Sequence, residues 1–106
     1  MNNFNDMLSK AKAMQDKMKE AQEKIKKIEV EGLAGGNLVK VILTGDYELK
    51  SIFISDTAKN ESQEIINDLI KAAYNNAKEN LKKKSAEELS KVTGGLNLPI
   101  DFKLPF

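Results

Sequence analysis

Apolar residues at Phe4, Met7, Ala11, Met14, Met18, Ala21, Ile25 and Ile28 recur in alternating steps of three and four. This is the a/d pattern of a heptad, carried through nearly four repeats without a glycine or proline. It predicts a helix over about 3–28, roughly 39 Å long at 1.5 Å per residue. A lone helix in a chain this small cannot bury so long a stripe. The stripe calls for a second helix of the same chain, a second copy of the chain, or both. Methionine at this spacing reads as seam packing. Met7, Met14, Met18, Ile25 and Ile28 are therefore assigned to a dimer or arm seam rather than to a ligand site.

From residue 28 the period changes from helical to alternating. "IEVEGL" reads as a short strand and "AGG" at 34–36 as a turn. "NLVKVILT" (37–44) sets Val39, Val41 and Leu43 on one face, and Gly45-Asp46 makes a tight turn into "YELKSIFIS" (47–55). Leu49 and Ile52 have opposite parity, so a bulge near Lys50-Ser51 would realign that face. The segment 28–55 is thus a three-stranded antiparallel meander. A phosphate-binding loop would need a lysine and a hydroxyl residue after its last glycine and before a helix. Asn37 and Leu38 follow instead and begin a strand, so Gly32, Gly35 and Gly36 are read as hairpin geometry.

A second long helix is expected over about 61–93, opened by an Asn60/Gln63 capping box. Ile65, Ile66, Leu69, Ile70, Ala73, Tyr74, Ala77 and Leu81 form an apolar face wide enough to cover a sheet. Beyond Leu81 that face thins to Ala86, Leu89 and Val92, and Lys82, Lys83 and Lys84 interrupt it. Ser85 to Glu88 is a second capping-box candidate, where the helix could break near 85 and restart. The first half reads as core and the second as an arm reaching past it. Gly94-Gly95 is a natural stop. The segment 94–106 is read as an extended tail, since Pro99 and Pro105 bar it from helix and from a central strand. In an extended tail, Leu98, Ile100, Phe102, Leu104 and Phe106 would line one edge.

Composition narrows the function classes. The 106 residues suit one domain spanning 1–106, 41% hydrophobic and 31% charged. No apolar run approaches the roughly 20 residues of a membrane span, and the N-terminus lacks the pattern of a secretory signal. A cytoplasmic protein with no membrane role is expected. Histidine and cysteine are both absent, which removes ordinary zinc sites and His- or Cys-based catalysis. No metal, cofactor or small-molecule substrate is expected, and the acids fall mostly on predicted solvent faces, so the chain is not read as an enzyme.

All 17 basic residues are lysine, and the net charge is only +1. Lysine meets phosphate as a mobile point charge and lacks arginine's bidentate fork for guanine. Any nucleic-acid surface must therefore come from charge segregation and favour phosphates over bases. A codon bias towards lysine explains the missing arginine equally well. With Phe4 at heptad position a, Lys10, Lys17 and Lys24 occupy g, while Lys12, Lys19 and Lys26 occupy b. Most of the g lysines lack an acidic partner at e. Two such rows can face phosphates, or simply solvate the helix flank. Lys78, Lys82, Lys83, Lys84 and Lys91 form a second group against Glu79, Glu87 and Glu88.

The order of these elements resembles the YbaB/EbfC family of bacterial nucleoid-associated proteins. The resemblance rests on "MQDKMKEAQEKI" (14–25), "VEGLAGGNLVKVILTGDYELKSIFIS" (30–55), "IINDLIKAAYNNA" (65–77) and "GLNLPIDFKLPF" (95–106). It implies an α+β fold in the order α-β-β-β-α and a tweezers-like homodimer. Its sheets would form the dimer body, with the first helix and the end of the last projecting as arms. It also implies DNA binding and a place in the nucleoid, with arm lysines as contacts: here Lys10, Lys12, Lys17, Lys19, Lys24, Lys78, Lys82, Lys83 and Lys84. The competing reading is a protein-interaction module that grips a partner through the methionine-rich arms and the 98–106 tail.

Overall fold

The structure, a computed structural model, describes residues 2–92. The tail expected at 94–106 lies outside the described residues. Helix α1 (Asn2–Lys26) is followed by strands β1 (Glu29–Ala34), β2 (Val39–Thr44) and β3 (Leu49–Ile54). A short helix α2 (Asp56–Lys59) then leads into α3 (Gln63–Val92). The fold is α+β, with the helix-sheet-helix order that the pattern predicts. The short α2 interrupts it, a turn that the sequence reading missed.

The sheet is an antiparallel meander in the order β1-β2-β3. Val39, Val41 and Leu43 alternate onto one face and are fully buried there, as their spacing requires. Leu43 pairs with Leu49 while Ile42 pairs with Ser51, which leaves Lys50 as the extra residue of a bulge. The bulge returns Leu49 and Ile52 to the same face, since residues directly opposite in an antiparallel pair share a face.

Helix α3 lies across β1 and β2, burying Ala73, Ala77 and Leu81 against Val30, Val39, Val41 and Leu43. Gly32 makes this close approach possible. A Cβ built at Gly32 would sit 2.0 Å from the Ala73 carbonyl oxygen and 2.6 Å from the Ala77 Cβ. Gly32 is therefore a packing residue inside β1, not part of a hairpin turn; its signal was invisible locally because the clash comes from 41 or more residues away. Gly35 and Gly36 do form the turn, both at positive φ.

Two further details correct the local reading, and a third extends it. Asn60 ends α2, and α3 is capped instead by Ser62, whose Oγ accepts the Ile65 N–H at 3.3 Å. Ser55 caps α2 in the same way through Ala58 N–H. Helix α3 continues without interruption through Ser85 to Val92, so the break considered near 85 is absent. The hairpin between β2 and β3 keeps the expected Gly45-Asp46 turn but extends it by one residue, Tyr47. The Tyr47 N–H donates to the Thr44 carbonyl, the Thr44 N–H to the Glu48 carbonyl, and Tyr47 takes φ 63°. That left-handed position favours glycine.

The chain is markedly long. Its Cα radius of gyration is 19.0 Å and its extents are 71 × 22 × 18 Å, against about 13 Å for a compact domain of this length. The excess comes from α1 and the outer half of α3, which leave the sheet together.

Candidate nucleic-acid interface

The arm is built by two contacts at one end of the sheet. Gly45 abuts the end of α1 so closely that a Cβ there would lie 1.6 Å from the Ile25 carbonyl oxygen. The Gly45 N–H also donates to Ile28. Meanwhile α3 runs backward along β1: Asn76 accepts the Leu33 N–H, and one turn later Asn80 donates to the Glu31 carbonyl. It leaves the sheet at the Glu29 end, where α1 arrives, so the two helices run antiparallel and touch.

Their burial patterns mesh in opposite chain directions. On α1, Met14 and Met18 are half-buried and Ala21 and Ile25 are buried; on α3, Leu81 is buried and Ser85, Glu88 and Val92 are half-buried. Each set advances by three or four residues, one helical turn at a time. Of the predicted seam, Met14, Met18, Ile25 and Ile28 are thus partly or fully covered. Met7 is 68% exposed.

The candidate lysines flank this seam. Lys10, Lys12, Lys17, Lys19 and Lys24 on α1 and Lys82, Lys83 and Lys84 on α3 are exposed, while Lys78 is half-buried near the sheet. Residues seven apart lie about 10.5 Å apart along a helix, which is the spacing within the rows 10-17-24 and 12-19. Lys24 stands level with Lys82–Lys84, whereas Lys10 and Lys12 lie further out than Val92. Successive residues are rotated by about 100°, so Lys82, Lys83 and Lys84 fan around α3 and cannot meet one flat surface together.

Charge pairing differs between arm and body. Of the candidates, Lys82 alone has an ion pair among the described residues, with Glu79 at 3.7 Å. Elsewhere on the arm Lys26 pairs with Glu23 and Lys91 with Glu88. In the body, Lys40 pairs with Glu31, Lys50 with Glu29 and Lys59 with Asp56. Among the described residues, three of eleven arm lysines are thus paired against three of five in the body. The arm segments 2–26 and 78–92 carry eleven lysines against seven acids, whereas 27–77 carries five against eight. A near-neutral chain is thus polarised into a positive arm and a negative body.

The family profile of the YbaB/EbfC DNA-binding family matches residues 1–96. The chain belongs to that family. It is 44% identical to the nucleoid-associated protein of Rickettsia akari (strain Hartford) over 107 aligned positions covering the whole of both chains. The nucleoid-associated protein of Rickettsia typhi (strain ATCC VR-144 / Wilmington) is likewise 44% identical over full length. That of Granulibacter bethesdensis (strain ATCC BAA-1260 / CGDNIH1) is 43% identical over full length. The family is therefore one of bacterial nucleoid-associated, DNA-binding proteins. Among the described residues, no cluster of His, Cys, Asp or Glu could hold a metal ion. No described helix is long and apolar enough to cross a membrane.

Sequence reasoning missed Asn76 and Asn80. Both lie in "AAYNNAKEN" on the face of α3 towards β1, and they occupy outward-pointing backbone groups of that edge strand. Two asparagines one turn apart beside an apolar face are a readable hint of such a role, but only once the strand they meet is known.

Proposed function

We propose that this protein binds duplex DNA in the bacterial nucleoid as a homodimer, through lysine-phosphate contacts along its arms. The carrying observation is the polarised charge: unpaired lysines in heptad rows on the arm, and an acidic body whose lysines are largely paired. Such a surface attracts the phosphate backbone and carries little information about bases, since lysine and phosphate form a sequence-independent contact. Low sequence preference and strong salt dependence follow.

The homodimer rests on the unequal edges of the sheet. The β1 edge is occupied by Asn76 and Asn80. Nothing among the described residues pairs with the outward edge of β3. Strand β3 also exposes apolar side chains on both faces, Ile52 at 43% on the helix side and Phe53 at 50% on the other. An open edge with apolar faces is a hazard in a monomer and a docking strand in a dimer. The second copy is therefore assigned to β3, leaving the arms free.

Fluorescence anisotropy against mixed-sequence duplexes tests the DNA reading across a salt series. The slope of log K against log salt should be about −0.9 for each phosphate neutralised. Absence of binding to any duplex at about 50 mM salt, where such contacts are strongest, refutes it. Sedimentation equilibrium of Phe53→Asp tests the dimer: a folded monomer is expected, and an unchanged dimer mass assigns the interface elsewhere.

A further inference from the structure

The sheet has two edges, and α3 treats them differently. The Gly45 N–H donates to the Ile28 carbonyl, and backbone directions alternate along a strand. Val30, Gly32 and Ala34 therefore bond to β2, while Glu29, Glu31 and Leu33 turn their backbone groups outward. Two of those outward groups are taken. Asn76 accepts the Leu33 N–H at 3.0 Å, and Asn80 donates to the Glu31 carbonyl at 2.8 Å. On the other edge the Ser55 N–H donates back to Leu38, so Ile52 and Ile54 turn outward. No described residue pairs with them.

We propose that Asn76 and Asn80 form an edge lock that denies β1 to further copies of this chain and ends assembly at the dimer. The proposal rests on the homodimer reading above, in which two copies join through β3. A pair joined there carries a β1 edge at each end of its joined sheet. A bare strand edge is a template for another strand. With both β1 edges bare, the next pair would add β1 against β1, and the contact would repeat from pair to pair without closing.

The lock depends on the close approach of α3. Gly32 lets Ala73 and Ala77 lie against the β1 backbone, and that approach brings Asn76 and Asn80 within reach of the strand's outer side. Asparagine suits the position chemically. Its amide offers a carbonyl to an N–H and an NH2 to a carbonyl, so two of them reproduce both halves of a strand ladder.

The side chains of the outer sheet face agree. Strand β1 presents the exposed Glu29 and Glu31 there, and charge on an edge strand opposes further pairing. Strand β3 presents Ser51 and Phe53, while Lys50 is drawn back across the sheet to Glu29. One edge is thus blocked twice, and the other is left clear.

Sedimentation of the full-length protein tests the lock. Both asparagines lie at the surface of α3 and alanine favours helix, so Asn76→Ala, Asn80→Ala should keep the parental circular dichroism. Its mass should rise with concentration through multiples of the parental species. The single variant Asn76→Ala frees the Leu33 N–H alone and should show the same growth, less steeply. Adding Leu33→Pro removes that N–H, a change an edge strand tolerates, and should restore the parental mass. An unchanged mass for the folded alanine variants overturns the proposal, because a merely structural role lowers stability without adding mass. Growth that survives Leu33→Pro overturns it too. Failure of the dimer reading shows elsewhere, as a monomeric parent or a dimer that survives Phe53→Asp. The lock itself is judged only by the mass gained when the asparagines are removed, and in the Phe53→Asp monomer that gain should stop at one doubling.

Discussion

The sheet end and the arm of this molecule are built from the same α3 helix under opposite rules. Over the sheet, α3 offers Ala73 and Ala77 to Gly32, and backbone approaches backbone so closely that no Cβ fits between them. Past Leu81 the same helix packs against α1, its seam is half-buried, and its flanks carry exposed lysines. Of these, Lys82 and Lys91 pair with acids of their own helix. Close packing fixes a shape and tolerates little change. An exposed charged flank tolerates change in sequence and stability but not in charge. The body holds the structure, and the arm is free to meet a ligand.

The largest test of that contrast is Gly32→Val. With no space beside Ala73 and Ala77, the side chain should push α3 off the sheet. A loss of at least about 3 kcal/mol is expected, seen as a collapse of the thermal midpoint by circular dichroism. A midpoint within a few degrees of the parent would show that the helix-sheet approach is not the structural constraint.

Leu81→Ala comes next, because Leu81 is fully buried where body meets arm. Large-to-small changes at such sites cost about 2–5 kcal/mol, measurable by urea unfolding. The exposed Lys17→Ala on the arm should stay within about 0.5 kcal/mol of the parent in the same assay. Equal losses at the two positions would erase the distinction.

Charge reversal inverts the order. The triple variant Lys17→Glu, Lys19→Glu, Lys24→Glu should fold like the parent, yet bind duplex DNA at least about tenfold more weakly, with a shallower salt slope. The control Lys40→Glu, Lys59→Glu in the body changes two paired lysines and should weaken binding far less. If the body variant is the more damaged, DNA meets the sheet and not the arms.

The smallest effect lies at the hairpin tip. Tyr47 holds a left-handed φ of 63°, which costs a non-glycine residue about 1 kcal/mol. Tyr47→Gly should therefore gain up to about 1 kcal/mol in urea unfolding. A loss instead would mean that the exposed ring makes a contact that outweighs its backbone cost.

Local regularities carried over directly because they are properties of neighbouring residues. The heptad of α1, the alternation of Val39, Val41 and Leu43, and the parity slip that demands a bulge at Lys50 all depend on spacing within one element. The lysine rows were equally legible, since their separation of seven residues sets their place on the helix. The capping of α3 was misread by two residues. Asn60 and Ser62 are both good caps, and only the presence of α2, which uses Asn60 at its own end, discriminates between them.

The sequence by itself determined the order of the two long helices and three strands, the core face of β2 and the lysines' positions on each long helix, because short-range periodicity specifies them. The tertiary structure alone decided that Gly32 is a contact point and that Asn76 and Asn80 close one sheet edge while β3 stays open. It also decided that cover along α1 runs out at Met14. Each of these depends on which distant segment arrives beside a residue, and chain connectivity places those segments 40 or more positions apart. Spacing along the chain cannot encode a contact of that kind.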